Sequence, residues 1–175
     1  MYILIDEKEI AVIREAFRIT AEGIKHMYQN MKPGMTELKL LKIMQDYFKR
    51  EGSDSVSFWQ VASGNLATSP HAGTTDKVPA ADEMLVVDIG ALIDKYTADS
   101  TVSFTISGKF TKEQKTIYDI VYKSLKTRVK GMVMTFEPAI YFPEDGLNAR
   151  PRRLTRLVSE EEFMIYARQM SLIQK

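Results

Sequence analysis

The sequence predicts an α+β fold, and three observations predict it. Its elements run helix, helix, strand, strand, strand, helix, strand, helix, which is not the alternating pattern of a parallel α/β sheet. The first two are amphipathic helices separated only by Lys32-Pro33-Gly34, an α-hairpin suited to covering a sheet. With 45% hydrophobic residues in 175, the chain can bury the core of one domain.

Each element has a local cause. Asp6 followed by Glu9 reads as an N-cap with its supporting acid. From there Ile10, Ile13, Phe17, Ala21 and Ile24 recur at helical spacing, predicting a helix to about Asn30. Thr36 caps a second helix, ELKLLKIMQDYFKR, which sets Leu38, Leu41, Met44 and Phe48 on one face and stops at Gly52. Residues 56–62, VSFWQVA, are aromatic and β-branched and read as a strand, followed by a loop through Pro79. Strands over 84–92 and 96–104 form a hairpin. Thr111 with Gln114 is a capping box opening a helix from Lys112 to about Lys126. GMVMTFEPAIYF, 131–142, reads as a strand interrupted by Pro138, and EDGLNARPRRLTR as a loop. Ser159 with Glu162 is a further capping box, starting a helix that runs to the C-terminus. The second half is thin, with one strand and one helix after residue 129. There is no internal repeat.

Composition narrows the function. Twenty-four Lys and Arg against 23 Asp and Glu give a net charge of +1, which offers no long-range field for nucleic acid or a membrane surface. The absence of cysteine excludes disulfides, thiolate catalysis and Cys-ligated metals. No signal-type apolar run opens the chain, and no window approaches the ~18 apolar residues of a membrane span. The expectation is a soluble, cytoplasmic protein.

The hairpin carries the chemistry. VVDIGALIDKYTADSTVSF sets Asp88 and Asp99 in apolar sequence. A turn at Ile93-Asp94 would make them direct cross-strand partners, with Cβ atoms roughly 4.5–5.5 Å apart, a like-charge pairing that destabilises a sheet. Either the pair lies on a solvated rim, or it is buried and needs a cation or a shared proton. Oxygen ligands without thiolates suit Mn²⁺, Mg²⁺ or Zn²⁺. Glu137, inside the apolar VMTFEPAIYF, is a third acid, a metal ligand or an edge-strand glutamate facing water. His71 lies in the loop ATSPHAGTTDK, and His26 on the polar side of the first helix has no assigned role. The cluster Arg150, Arg152, Arg153 and Arg156 reads as a solvated loop, and the ten methionines read as packing. Gly-rich phosphate loops and nucleophile elbows are absent.

In order along the chain, EKEIAVIREAFRITAEGI, MKPGMTELKL, VASGNLATSPHAGTTDK, MLVVDIGALIDKYTADSTVSFTISGKFTKEQ and GMVMTFEPAIYFPEDGL resemble the pita-bread (creatinase/aminopeptidase-like) metallopeptidases. That family includes methionine aminopeptidase. The likeness is greatest to Xaa-Pro aminopeptidase and Xaa-Pro dipeptidase, and spans residues 6–126 and 130–175. It implies a hydrolase in which two divalent ions share a bridging water between two aspartates, one histidine and two glutamates. Carried over, Asp88 ligates one ion, Asp99 bridges both, and Glu137 ligates the second and assists proton transfer. His71 contacts the substrate's reacting peptide group. Manganese is the implied metal, with zinc or cobalt as alternatives. The implied reaction releases an N-terminal residue from a peptide with proline second.

The resemblance also implies a partial pita-bread fold, a single incomplete peptidase domain over 1–175. Its N-terminal half (1–126) is intact and its C-terminal half, with a remnant at 130–175, is largely missing. Only Thr127-Arg128-Val129 stands where the family has a helical pair and the strand with its HGxGH-type histidine. The final R-x-E-D glutamate has no counterpart, and Val102 replaces the arginine of D-x-T-R-T. The chain is thus expected to be internally deleted and C-terminally truncated, with weak or absent metal binding and little or no activity. The alternative is a non-catalytic remnant or interaction module, self-associating through uncovered sheet edges.

Overall fold

The computed structural model describes residues 6–69, 71–125, 140–142 and 147–149. Helix α1 (Glu7–Asn30) starts at the expected box: the Asp6 carboxylate accepts from the backbone N–H of Lys8 and Glu9, each at 2.8 Å, and Glu9 accepts from Asp6 N–H at 2.7 Å. Two donors that the helix itself cannot satisfy are thereby paired. The inward side is Ile13, Ala16, Phe17, Ile24 and Met27. Helix α2 (Glu37–Arg50) starts at Thr36, whose hydroxyl accepts from Lys39 N–H at 3.2 Å.

The buried row of α2 is Leu40, Leu41, Met44 and Phe48, and Leu38 is 40% exposed. The expected face is therefore corrected by one residue. Glu37 points inward, and the i, i+3, i+4, i+7 neighbours of Glu37 are Leu40, Leu41 and Met44; Leu38 falls about 100° off that row. The two helices approach closely at Gly23, where a Cβ would lie 2.3 Å from a Phe48 ring carbon.

The helices cover an antiparallel sheet of β1 (Ser55–Ser63), β2 (Met84–Ile93), β3 (Tyr96–Thr97) and β4 (Ser100–Thr105). Strand β2 is central, pairing β1 on one side and β3 and β4 on the other. Leu85, Val87, Ile89 and Ala91 alternate onto the helix side, where they join Val61, Val102, Phe104 and the α2 row in one apolar cluster. Each large side chain so buried contributes about 1.5–3 kcal/mol over an exposed one. The other side of β2 carries Met84, Val86, Asp88 and Gly90. Val86 packs there with Ala62 and with Ala67 of the 3₁₀ turn Gly64–Thr68.

Helix α3 (Lys112–Leu125) opens on its expected box, with Gln114 N–H on the Thr111 hydroxyl at 3.2 Å and Thr111 N–H on the Gln114 side chain at 2.8 Å. Strand β5 (Ile140–Phe142) pairs antiparallel with β6 (Leu147–Ala149). The second of these falls in the segment expected to be a loop. Ile140 pairs with Ala149, Tyr141 with Asn148 and Phe142 with Leu147. The rest of the expected 131–142 strand, Glu137 with it, and the C-terminal helix lie outside the described residues. Among the described residues no helix is long and apolar enough to cross a membrane.

Candidate functional site

The hairpin register differs from the expected one. Ile93 pairs with Tyr96 and Leu92 with Thr97, so the two-residue turn is Asp94-Lys95, both with positive φ (45° and 69°). That is the sign a right-twisting two-residue hairpin requires at both central positions. Asp94 N–H is held by the Asp54 carboxylate at 2.7 Å. The same register pairs Asp88 with Thr101, not with Asp99. Direct opposition of the two aspartates is therefore overturned. Continued without a break, the register would set Asp99 diagonal to Asp88, ~7–8 Å away in a regular ladder.

The ladder does break there. Ala98 N–H still donates to Ala91 O at 3.0 Å. The return bond is absent: Ala91 N–H donates instead to the Thr20 hydroxyl of α1 at 2.9 Å, and that hydroxyl donates to Ala16 O at 2.8 Å. The Ala98 carbonyl leans over Gly90, where an added Cβ would meet its oxygen at 1.8 Å. Only a residue without Cβ admits the backbone here. Residues 98–99 fall between β3 and β4, and β4 resumes at Ser100 in the same register, Ser100 opposite Ile89. Asp99 lies in that gap.

Both carboxylates are buried, Asp88 4% and Asp99 9% exposed. Thr101 Oγ1 donates to Asp88 Oδ1 at 2.8 Å. Across β1 the neighbour of Asp88 is Gln60, and Ser103 and Thr105 follow Thr101 along β4, all buried. One side of the sheet is thus an apolar floor for the helices, while the other carries a row of oxygen-bearing side chains. Carboxylate, hydroxyl and amide oxygens of this kind are the donors that hard divalent cations such as Mn²⁺ or Mg²⁺ take. Among the described residues no group of three or more His, Asp or Glu side chains is placed to hold a metal ion. Glu137, the third expected ligand, is outside them.

His71 is exposed, in a segment tied down on both sides. Before it, Gln60 Nε2 donates to Ser69 O at 3.2 Å; after it, Val61 N–H donates to the Thr74 hydroxyl at 2.9 Å. The side chain neighbouring Asp88 across the sheet therefore also anchors the His71 segment. Thr75 and Ser63 are bound to Glu37, the fully buried first residue of α2. Lys77 continues the anchoring, its Nζ 2.8 Å from Glu83 and 3.2 Å from Ser63 O. Burial pushes the Glu83 carboxyl up, but Lys77, the Ala80 N–H and Ser63 outweigh it and hold it below its ordinary value. His26, given no role, lies on α1 against Tyr47, ring centroids 5.1 Å apart.

Glu37, Gln60 and Thr101 went unmarked in the sequence. A Glu opening a helix reads as a partner of the helix dipole, and only the Ser and Thr residues at 63 and 74–75 hint at donors for a buried acid.

Two helices over one face of an antiparallel sheet, and a hairpin presenting buried acids on the other, define the N-terminal half of a pita-bread fold. Residues 11–130 match metallopeptidase family M24, and the chain belongs to that family. His71, Asp88 and Asp99 fall inside the matched span and Glu137 beyond it. Xaa-Pro aminopeptidase of Escherichia coli is 33% identical over 124 residues, 70% of this chain and 28% of the relative. The structure of Escherichia coli aminopeptidase P in complex with substrate superposes with a TM-score of 0.69 at 32% identity, over 74% of this chain and 30% of that one. X-Pro aminopeptidase from Thermotoga maritima shares the fold, with a TM-score of 0.78 at 22% identity over 88% of this chain and 60% of that one. The chain spans between 25% and 37% of the length of the curated relatives it matches here.

Proposed function

We propose that this chain carries one wall of the metal centre of an Xaa-Pro-type metalloaminopeptidase, with Asp88 and Asp99 as its carboxylate ligands. The observation that carries the reading is the burial of both acids on the hairpin of a chain that belongs to a metallopeptidase family. Relatives at 33% identity bear the name Xaa-Pro aminopeptidase, which supports a peptide substrate with proline second. A bound divalent ion supplies a water of lowered pKa and polarises the scissile carbonyl. The chain's own residues do the rest. Thr101 orients Asp88 through Oδ1, and Asp99 follows the close approach of Ala98 to Gly90. The anchored 69–75 segment presents His71 toward the substrate's peptide group. Glu137 completes the carboxylate set and takes part in proton transfer.

The 175 residues alone hold the ions loosely and turn over slowly. Their two histidines are His26, lodged against Tyr47, and His71, assigned to substrate, so no imidazole joins the carboxylates as a ligand. Fewer ligands mean less charge compensation and lower affinity. The test is Mn²⁺-dependent hydrolysis of a peptide with proline at its second position. The expected rate is at least ~100-fold below that of a full-length relative, because loss of outer supports alone costs about 10–100-fold. A rate matching the relative's, abolished by Asp99→Ala, would overturn the low-activity part. A residual rate that Asp99→Ala leaves unchanged would overturn the assignment of the ligands.

A further inference from the structure

Glu37 is a carboxylate with no exposed surface, and the metal chemistry makes no use of it. Its Oε1 accepts from Ser63 N–H and Ser63 Oγ, both at 2.8 Å. Its Oε2 accepts from Thr75 N–H at 3.1 Å and Thr75 Oγ1 at 2.7 Å. A carboxylate has about four lone-pair sites, and four donors occupy them. Ser63 ends β1 and Thr75 follows His71, so one side chain clasps the two ends of the excursion 64–74. Two backbone bonds fix the same joint, Glu37 N–H to Lys77 O at 2.9 Å and Leu38 N–H to Thr75 O at 3.1 Å. The first turn of α2 is thereby bolted to both ends of the segment that bears His71.

We infer that Glu37 is a positioning residue for His71: its carboxylate closes the 63–75 loop and so fixes where the histidine stands relative to the Asp88 face. The inference rests on the peptidase reading for its catalytic consequence, whereas the closure of the loop is a property of the chain alone. Charge-assisted bonds are about twice as strong as neutral ones, and a buried N–H left facing a donor is worse than one lost to water. Glu37→Gln produces that situation whichever way the amide is turned. With Nε2 toward Thr75 its N–H faces the Thr75 N–H, and with Nε2 toward Ser63 it faces the Ser63 N–H. One end of the loop is released while side-chain volume is kept.

Hydrogen–deuterium exchange of the full 175-residue chain tests the closure. In Glu37→Gln, amides of 64–75 are expected to exchange about tenfold faster or more, with those of 84–93 and 13–27 unchanged. Thr75→Val removes one hydroxyl donor and should accelerate the same segment to a smaller extent; it decides the matter if Glu37→Gln does not fold. Unaltered exchange in 64–75, or acceleration of the sheet and helices by the same factor, would overturn the inference. The kinetic arm compares Glu37→Gln, His71→Ala and the double variant on the proline peptide. A residue acting through His71 lowers kcat, and the double variant is no slower than His71→Ala alone. Additive losses would overturn the positioning role. Absence of any hydrolysis by the unmodified chain would count against the peptidase reading, and the exchange result would still decide for or against Glu37.

Discussion

Gly90→Ala tests the hairpin geometry most sharply. Its added Cβ would lie 1.8 Å from the Ala98 carbonyl oxygen and 2.9 Å from the carbonyl carbon. To reach even the 3.0 Å limit, the Ala98 backbone must withdraw by about 1.2 Å. Backbone cannot swing aside as a side-chain tip can, because Ala98 is held by its N–H on Ala91 O at 3.0 Å and packs with Ile13, Ala16 and Phe17. Overpacking of this kind costs about 1–3 kcal/mol, and weakening the Ala98–Ala91 bond adds about 1 kcal/mol, for a total of about 2–4 kcal/mol. Against a usual stability of about 5–15 kcal/mol and a urea slope of about 1–3 kcal/mol/M, the unfolding midpoint should fall by about 1–2 M. Gly73→Ala, where the new carbon meets nothing within 4 Å, is the control and should leave the midpoint in place. A Gly90→Ala midpoint within ~0.3 M of the parent would refute the reading of the strand break, since ~0.3 M is worth under about 1 kcal/mol on that slope.

Three further outcomes are expected. Among the described residues Ser100 Oγ is buried without a hydrogen-bond partner, so Ser100→Ala should be neutral or stabilise by up to about 1–2 kcal/mol in urea unfolding; a clear loss would reveal a bond. Lys95 has φ 69° in the turn, so Lys95→Gly should raise stability by about 0.5–1 kcal/mol, and a lowered melting temperature would contradict the turn assignment. Glu83 is held below its ordinary value, so its contribution is present above the unfolded glutamate value of about 4.3 and is lost as pH falls through the lower folded value. For this half-exposed pair the difference between the parent and Glu83→Gln should be about 0.5–1 kcal/mol at pH 7 and should vanish in acid; a difference that grows on acidification reverses the sign.

The helices were legible because their starts are written in adjacent residues. Asp6 with Glu9 and Thr111 with Gln114 form the boxes their spacing announces. The face of α2 was less so, since ELKLLK offers Leu38, Leu40 and Leu41, and the choice among them follows from where Glu37 is anchored 26 and 38 residues away in sequence. The hairpin was legible as a hairpin but not in register. Asp94-Lys95 lacks the glycine that marks such turns, and a shift of one residue in the turn moves the partner of Asp88 by two. The acids themselves stood out by their apolar flanks. Their supports did not: Thr101, Gln60 and Thr20 are ordinary polar residues whose roles arise only when distant strands meet.

Calorimetric titration of Mn²⁺ into the 175-residue chain asks directly whether Asp88 and Asp99 hold a divalent ion. Weak, saturable binding is expected, and both Asp88→Asn and Asp99→Asn should abolish it. Binding that survives either substitution, or a parent chain that takes up no Mn²⁺ at all, would contradict that assignment.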